Sequence, residues 1–197
     1  MNKLLTKLGV SAEIQALFNV RGDLRFDFGD SYEHYSDYGH LVPNSGNLWR
    51  CGDELAGHVI IALSVMELIA FISINNRKFP NPDNLFFIAT GNNCHPPKFN
   101  WIRSSFKKRK FTLVFGNDLT GRLWDIKVAT ALRNKSARMT WSEPCVHFTT
   151  GNRTFGLEQD TVSLAAFERH AGIRTLIRTL KPFPYNTYLE QLQYDGK

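Results

Sequence analysis

The sequence predicts an α/β fold built on a parallel sheet, and three observations carry that prediction. Continuous apolar, β-prone runs at residues 59–63, 85–89 and 111–115 alternate with helix-like stretches, as βαβ units require and as strands buried on both faces should read. Residues 112–122 end an apolar run in the small polar turn Gly116-Asn117-Asp118, which opens directly into a helix. Such a strand-to-helix junction is where open α/β sheets collect ligands. A chain of 197 residues, 43% hydrophobic and 21% charged, is also long enough for one domain with a sizeable core.

Taken in order, residues 2–18 read as a short amphipathic helix or two, broken at Gly9, with Ser11 as the N-cap of the second. Residues 23–50 are rich in Asp, Gly, Ser and Tyr and hold alternating patches such as Leu24-Arg25-Phe26-Asp27-Phe28, a hairpin-rich lead-in expected to cap the main sheet. Val59-Ile60-Ile61-Ala62-Leu63 is the first buried strand, and Ser64 caps a helix running to about Asn75. After Pro80-Asn81-Pro82 comes the second strand, 85–89, ending at Thr90-Gly91. A helix over 101–108, a third strand over 111–115 and a long helix over 119–133 follow. Residues 139–157 alternate weakly around Gly151-Asn152 as a hairpin. A helix over 161–181 bends at Gly172 and is stopped by Pro182 and Pro184. The chain therefore divides into an N-terminal helix and β-rich cap, 1–46, and an α/β domain with a helical C-terminal extension, 47–197.

Composition narrows the function classes. The net charge of +6 makes a polyanionic partner plausible. Three scattered cysteines, none at C-x-x-C spacing, fit a reducing, cytoplasmic compartment better than a disulfide scaffold. The adjacency Cys94-His95 lacks the second ligand pair of a structural zinc site. The longest apolar stretch, 58–74, is too short and too interrupted for a membrane helix, and residues 1–8 lack the apolar core of a secretion signal; no membrane partner is expected. Dinucleotide, P-loop and nucleophile-elbow glycine motifs are absent from the sequence.

Two strand ends carry comparable signatures: Ile60-Ile61-Ala62-Leu63-Ser64-Val65-Met66-Glu67-Leu68-Ile69, and Val114-Phe115-Gly116-Asn117-Asp118-Leu119-Thr120-Gly121-Arg122. Together they resemble the Toprim domain of topoisomerases and primases, and most closely the primase-like Toprim proteins of bacterial mobile elements. That family ends one strand in Glu-Ser-x-x-Asp-Ala-Leu and a later one in Asp-Asn-Asp-x-Ala-Gly-Arg. Here Leu63 stands at the position of the family's catalytic glutamate, Ser64 is kept, and Glu67 follows at the next acidic position. Gly116 stands at the first aspartate, while Asn117, Asp118, Gly121 and Arg122 match. Residues 185–192, Tyr-Asn-Thr-Tyr-Leu-Glu-Gln-Leu, resemble the family's Asp-Trp-Asn-Glu-x-Leu tail. The resemblance spans residues 47–192. It implies a parallel sheet of about four strands flanked by helices, and a carboxylate centre that holds magnesium during phosphoryl or nucleotidyl transfer.

The departures decide what to expect of that centre. Magnesium wants oxygen ligands in octahedral array, and leucine and glycine supply none. Of the three family positions only Asp118 remains as a metal ligand, and it serves equally as the N-cap of the following helix. Glu67 either compensates as a second catalytic carboxylate or is a first-turn residue favoured by the helix dipole. The resemblance therefore implies a catalytically degenerate protein needing no cofactor, which binds nucleic acid, DNA more than RNA, or a replication or mobilisation protein. The alternative is an active nuclease or primase-like nucleotidyltransferase in which Mg2+ is held by Asp118 with Glu67 or Asp125. A structural protein without nucleic-acid binding is the third reading.

Basic residues form the second constellation. Arg103, Lys107, Lys108, Arg109 and Lys110 can track a phosphate backbone, with Trp101 and Phe106 stacking on bases, or can be a solvated turn over two core aromatics. On a helix over 161–181, His170, Arg174, Arg178 and Lys181 would share a face opposite Ile173, Leu176, Ile177 and Leu180, either a phosphate-binding face or an ordinary solvated one; Arg174 and Arg178, with Arg122, complete the candidate nucleic-acid set. The aromatic stretch 32–40 is either a recognition loop or a strand edge. Gly121 is expected where the helix backbone approaches the sheet closely.

Overall fold

The computed structural model describes residues 1–195. Its first two helices are α1 (Lys3–Lys7) and α2 (Ala12–Leu17), with Ser11 capping Ile14 N as the sequence predicts. Strands β1 (Leu24–Asp27), β2 (Tyr32–Ser36) and β3 (Gly39–Leu41) form a three-stranded antiparallel sheet. The main sheet is built from β4 (Trp49–Gly52), β5 (His58–Ala62), β6 (Leu85–Ala89), β7 (Lys110–Leu113) and, far downstream, β11 (Arg178–Thr179). Helix α3 (Val65–Asn75) links β5 to β6, α4 (Pro96–Ser105) links β6 to β7, and α5 (Leu119–Leu132) follows β7. A second antiparallel sheet, β8 (Arg138–Ser142), β9 (Cys145–Thr150) and β10 (Arg153–Glu158), precedes α6 (Leu164–Ala171), and α7 (Tyr188–Asp195) is the last element described.

The order of the main sheet is β11-β7-β5-β6-β4, parallel throughout except for β4, which pairs antiparallel with β6. From β5 the chain moves one way to β6 and then back across β5 to β7. Crossovers of one hand must then place α3 on one face and α4 on the other, and burial records this. Ile60, Ala62 and Phe87 pack with α1, α2, α3 and α7. Val59, Ile61, Phe86 and Ile88 point the other way, into a core shared with α4, α5, α6 and the second sheet. The alternation along each strand explains why these runs are continuously apolar: both faces are interior.

Three expected elements are corrected. The helix before β7 begins at Pro96, not near residue 101: two prolines at the first helical positions supply a preset φ where no amide hydrogen bond is needed. The helix over 161–181 is only α6; Gly172 adopts the left-handed conformation (φ 66°) and ends it. Residues 173–177 then bind locally, with Thr175 N and Oγ1 both donating to Glu168 Oε1, and Arg178–Thr179 join β7 as a parallel strand. The hairpin at Gly151-Asn152 gains a third strand, β8. No helix among the described residues is long and apolar enough to cross a membrane.

Candidate functional site

Because β5 leads to one face and β7 to the other, the carboxyl ends of these neighbours frame the crevice where α/β folds place ligands. Leu63, Ser64 and Glu67 follow β5, and Gly116, Asn117 and Asp118 follow β7, so the two sequence signatures meet there. Four carboxylates at this edge, Asp118, Glu67, Glu33 and Asp125, are committed to helix N-termini or a buried ion pair. Asp118 is exposed, and its Oδ1 accepts Gly121 N at 2.8 Å as the N-cap of α5. Glu67 sits in the first turn of α3 yet its two oxygens accept Tyr188 N (2.9 Å) and Leu189 N (3.3 Å), capping α7 from 121 residues away. Burial pushes the Glu67 carboxyl up to about 7, with the α7 amides opposing that shift. At the N-terminus of α3 itself stands a residue missed in the sequence. Glu33, fully buried on β2, accepts Val65 N (2.6 Å) and Met66 N (3.0 Å) and pairs with His40 Nε2 at 2.9 Å. Its signal lay in the alternation of β2: Glu33 shares its inward parity with Tyr35.

The crevice is also filled. Residues 181–189 run across it, with Asn117 N donating to Asn186 O at 2.7 Å. Lys181 Nζ donates to Phe115 O and Gly116 O and pairs with Asp125 Oδ2 at 2.5 Å. Burial raises the Asp125 carboxyl and lowers the Lys181 ammonium, while their mutual attraction opposes both. Packing at the strand end is backbone to backbone: a Cβ on Gly121 would overlap Gly116 O, and one on Gly116 would lie 3.1 Å from Asn186 O. Gly121 is thus placed where the sequence expects close approach.

These residues do not fit a magnesium ion of the Toprim kind. Leu63 and Gly116 bring no oxygen ligand, Asn186 O stands where a side chain on Gly116 would project, and Asp125 is locked to Lys181. Among the described residues no group of three His, Cys, Asp or Glu side chains is disposed to hold a metal.

Most of the basic candidates lie elsewhere. Arg103, Lys107, Lys108, Arg109 and Lys110 lead into β7, at the amino edge of the sheet and so at its opposite end from Asp118. Lys107, Lys108 and Lys110 are exposed, and none of the five makes an ion pair among the described residues. Phe106 is 1% exposed and Trp101 half-buried against it, so Phe106 is a core residue and not a stacking platform. Arg122 is spent on structure, donating to Asn117 O and Asp160 O. Arg174 and Arg178 are exposed but share no helix face. Arg178 nevertheless returns to the amino edge on β11, where with Lys110 it helps hold the His58 imidazole below its usual pKa, burial being the larger cause.

The structure adds cations that sequence reading overlooked. Residues 84–142 hold eleven lysines and arginines against two aspartates, +9 in a chain whose total is +6. On this half of the molecule a groove of about 490 Å3, lined by Arg103, Lys107, Lys108 and Arg133, adjoins one of about 440 Å3 lined by Lys127 and Lys135; Asn134 belongs to both. Residues 32–40 form β2 and β3, with Glu33 and Tyr35 turned inward and Tyr38 fully exposed. No family model matches this chain, and no curated protein or solved structure is similar to it.

Proposed function

We propose that the chain is a Toprim-like protein of the mobile-element kind whose carboxylate edge has been given over to structure and whose function is to bind nucleic acid through the α4–α5 face. The observation that carries this reading is the separation of charge. At the carboxyl edge Glu33, Glu67 and Asp118 cap helices and Asp125 is neutralised by Lys181. Around α4 and α5, Lys107, Lys108, Lys110, Lys127, Arg133 and Lys135 are exposed and make no ion pair among the described residues. A connected groove with cations on both walls and little acid nearby suits a phosphate backbone, whose counterions such a surface displaces. No motif on this face reads base edges in a groove, so the binding is weakly sequence-specific and a duplex of any sequence serves as a probe.

The test is a salt titration. Replacing Lys107, Lys108 and Lys110 by Glu should weaken binding to DNA and flatten the dependence of log affinity on log salt by about 0.9 for each phosphate that the protein no longer neutralises. An unchanged slope removes this face from function. Magnesium-dependent nuclease or primer synthesis by purified protein, abolished by Asp118→Ala, would instead establish the catalytic reading.

A further inference from the structure

A third depression opens on the same helix, at its other end. It has a volume of about 400 Å3 and lies between the loop before β4 and the first turns of α4, lined among others by Phe28, Asn47, Arg50, Pro97, Lys98 and Trp101. Its composition is unlike the lysine groove. The Arg50 guanidinium lies over the Trp101 ring, 4.7 Å from its centroid, and the edge-on packing of Phe106 holds that ring in place. The Arg50 side chain is 48% exposed, so the outer plane of the guanidinium faces solvent. Its carboxylate neighbour is Glu54 at 3.9 Å, an exposed pair of little strength. Asn47 is exposed, and its side-chain amide, a donor and an acceptor together, makes no hydrogen bond among the described residues. The floor is rigid: Lys98, 4% exposed, donates to Ser45 O, Thr90 O and Asn93 O, tying three segments together.

A flat cation backed by indole, a free amide and apolar walls is the chemistry that receives a planar, hydrogen-bonding ring. We infer that this pocket takes an unpaired nucleobase, stacked on the Arg50 plane with its edge met by Asn47, and that the nucleic acid bound along α4 is single-stranded there. Bases inside a duplex have both faces covered and cannot stack on a protein plane, whereas unpaired bases stack on aromatic and guanidinium surfaces alike. The ten residues of α4 span about 15 Å, so one strand reaches from this pocket to Arg103 and Lys107. The inference rests on the nucleic-acid reading above and narrows its substrate class.

Fluorescence anisotropy at fixed salt tests it with four probes of equal length: single-stranded DNA, single-stranded RNA, the DNA duplex and a single strand carrying abasic sites. Wild type should bind the better of the two single strands about ten-fold tighter than the abasic strand, and Arg50→Ala should bind both equally. Trp101→Ala should behave as Arg50→Ala, Trp101→Phe should recover most of the affinity, and duplex binding should change less than two-fold in all three. Arg50 is exposed, so its variant tests the pocket without disturbing the core. Equal loss on duplex and single strand, or no loss in Arg50→Ala, overturns the pocket while leaving the lysine face standing. Unchanged binding after Lys107, Lys108 and Lys110 are replaced by Glu overturns the lysine face itself.

Discussion

The two edges of the main sheet use charge in opposite ways. At the carboxyl edge, where β5 and β7 end, Glu33, Glu67 and Asp118 accept backbone amides at helix N-termini and Asp125 pairs with the half-buried Lys181. At the amino edge, where β7 begins, Lys107, Lys108 and Lys110 are exposed and make no ion pair among the described residues. A charge satisfied inside the fold contributes stability and little to recognition, and a charge left exposed contributes little stability and much to association. The contrast therefore puts internally satisfied charge where β5 and β7 end, where α/β proteins ordinarily keep their ligands, and leaves the exposed lysines where β7 begins.

Substitutions can break the contrast from the structural side. The largest effect is expected for Lys181→Ala, which strands the Asp125 carboxylate in the core and should cost about 4 kcal/mol. Converting both partners, Asp125→Leu with Lys181→Met, should restore most of that stability. Chemical denaturation measures both, and a single variant as stable as wild type would mean the pair is not what closes the crevice. Gly121→Val comes next. With a backbone oxygen where the new Cβ must go, α5 has to retreat from the strand end, and a loss of about 3 kcal/mol is expected in thermal unfolding. By comparison, the lysine-to-glutamate changes at the amino edge should shift stability by less than about 0.5 kcal/mol, and a larger loss there would erase the distinction.

An effect smaller than that of either core variant sharpens the picture through pH. Burial holds the Glu67 carboxyl near 7 against 4.5 for a free one, so the folded chain keeps a proton that the unfolded chain releases. Stability from this group is present below about pH 4.5 and is lost as pH rises through 7. Wild type should accordingly lose about 1 kcal/mol across that window relative to Glu67→Gln, whose amide oxygen still accepts from α7, after allowance for partial exposure. Parallel curves for the two proteins would mean that the α7 amides hold Glu67 ionised throughout.

Much of this was legible in the residues themselves. Strands buried on both faces announce themselves as unbroken apolar runs, and Ser11, Ser64 and Asp118 each cap the helix their positions predict. What failed did so for physical reasons. Ile173, Leu176, Ile177 and Leu180 have helical spacing, but a left-handed Gly172 and the Glu168 carboxylate turn the chain before a helix can propagate. Cations grouped by that helix were therefore misplaced, although Arg178 reaches the basic edge by a strand. The alternation of β2 could have marked Glu33 as inward, but its role could not be read because its partners, Val65 N and Met66 N, lie 32 and 33 residues away and are backbone atoms without sequence identity. The carboxylate signature at the strand ends was readable, but the segment that covers it was not.

That covering segment has a consequence in time. The bonds that close the carboxyl edge join residues 65 to 122 positions apart: Lys181 to Phe115 and Gly116, and α7 to Glu67. During synthesis β5, α3, β6, β7 and α5 are all made before any of these partners exists. Until they arrive, Asp125 lacks its cation and Glu67 its helix, and β7 lacks its outer neighbour. Closure of the sheet is then the most non-local step on the folding path, and such steps are slow. Once made, the same long-range contacts define a unit that opens together, so amide exchange in β11 and α7 should report one shared protection, set by the latch and not by either element alone.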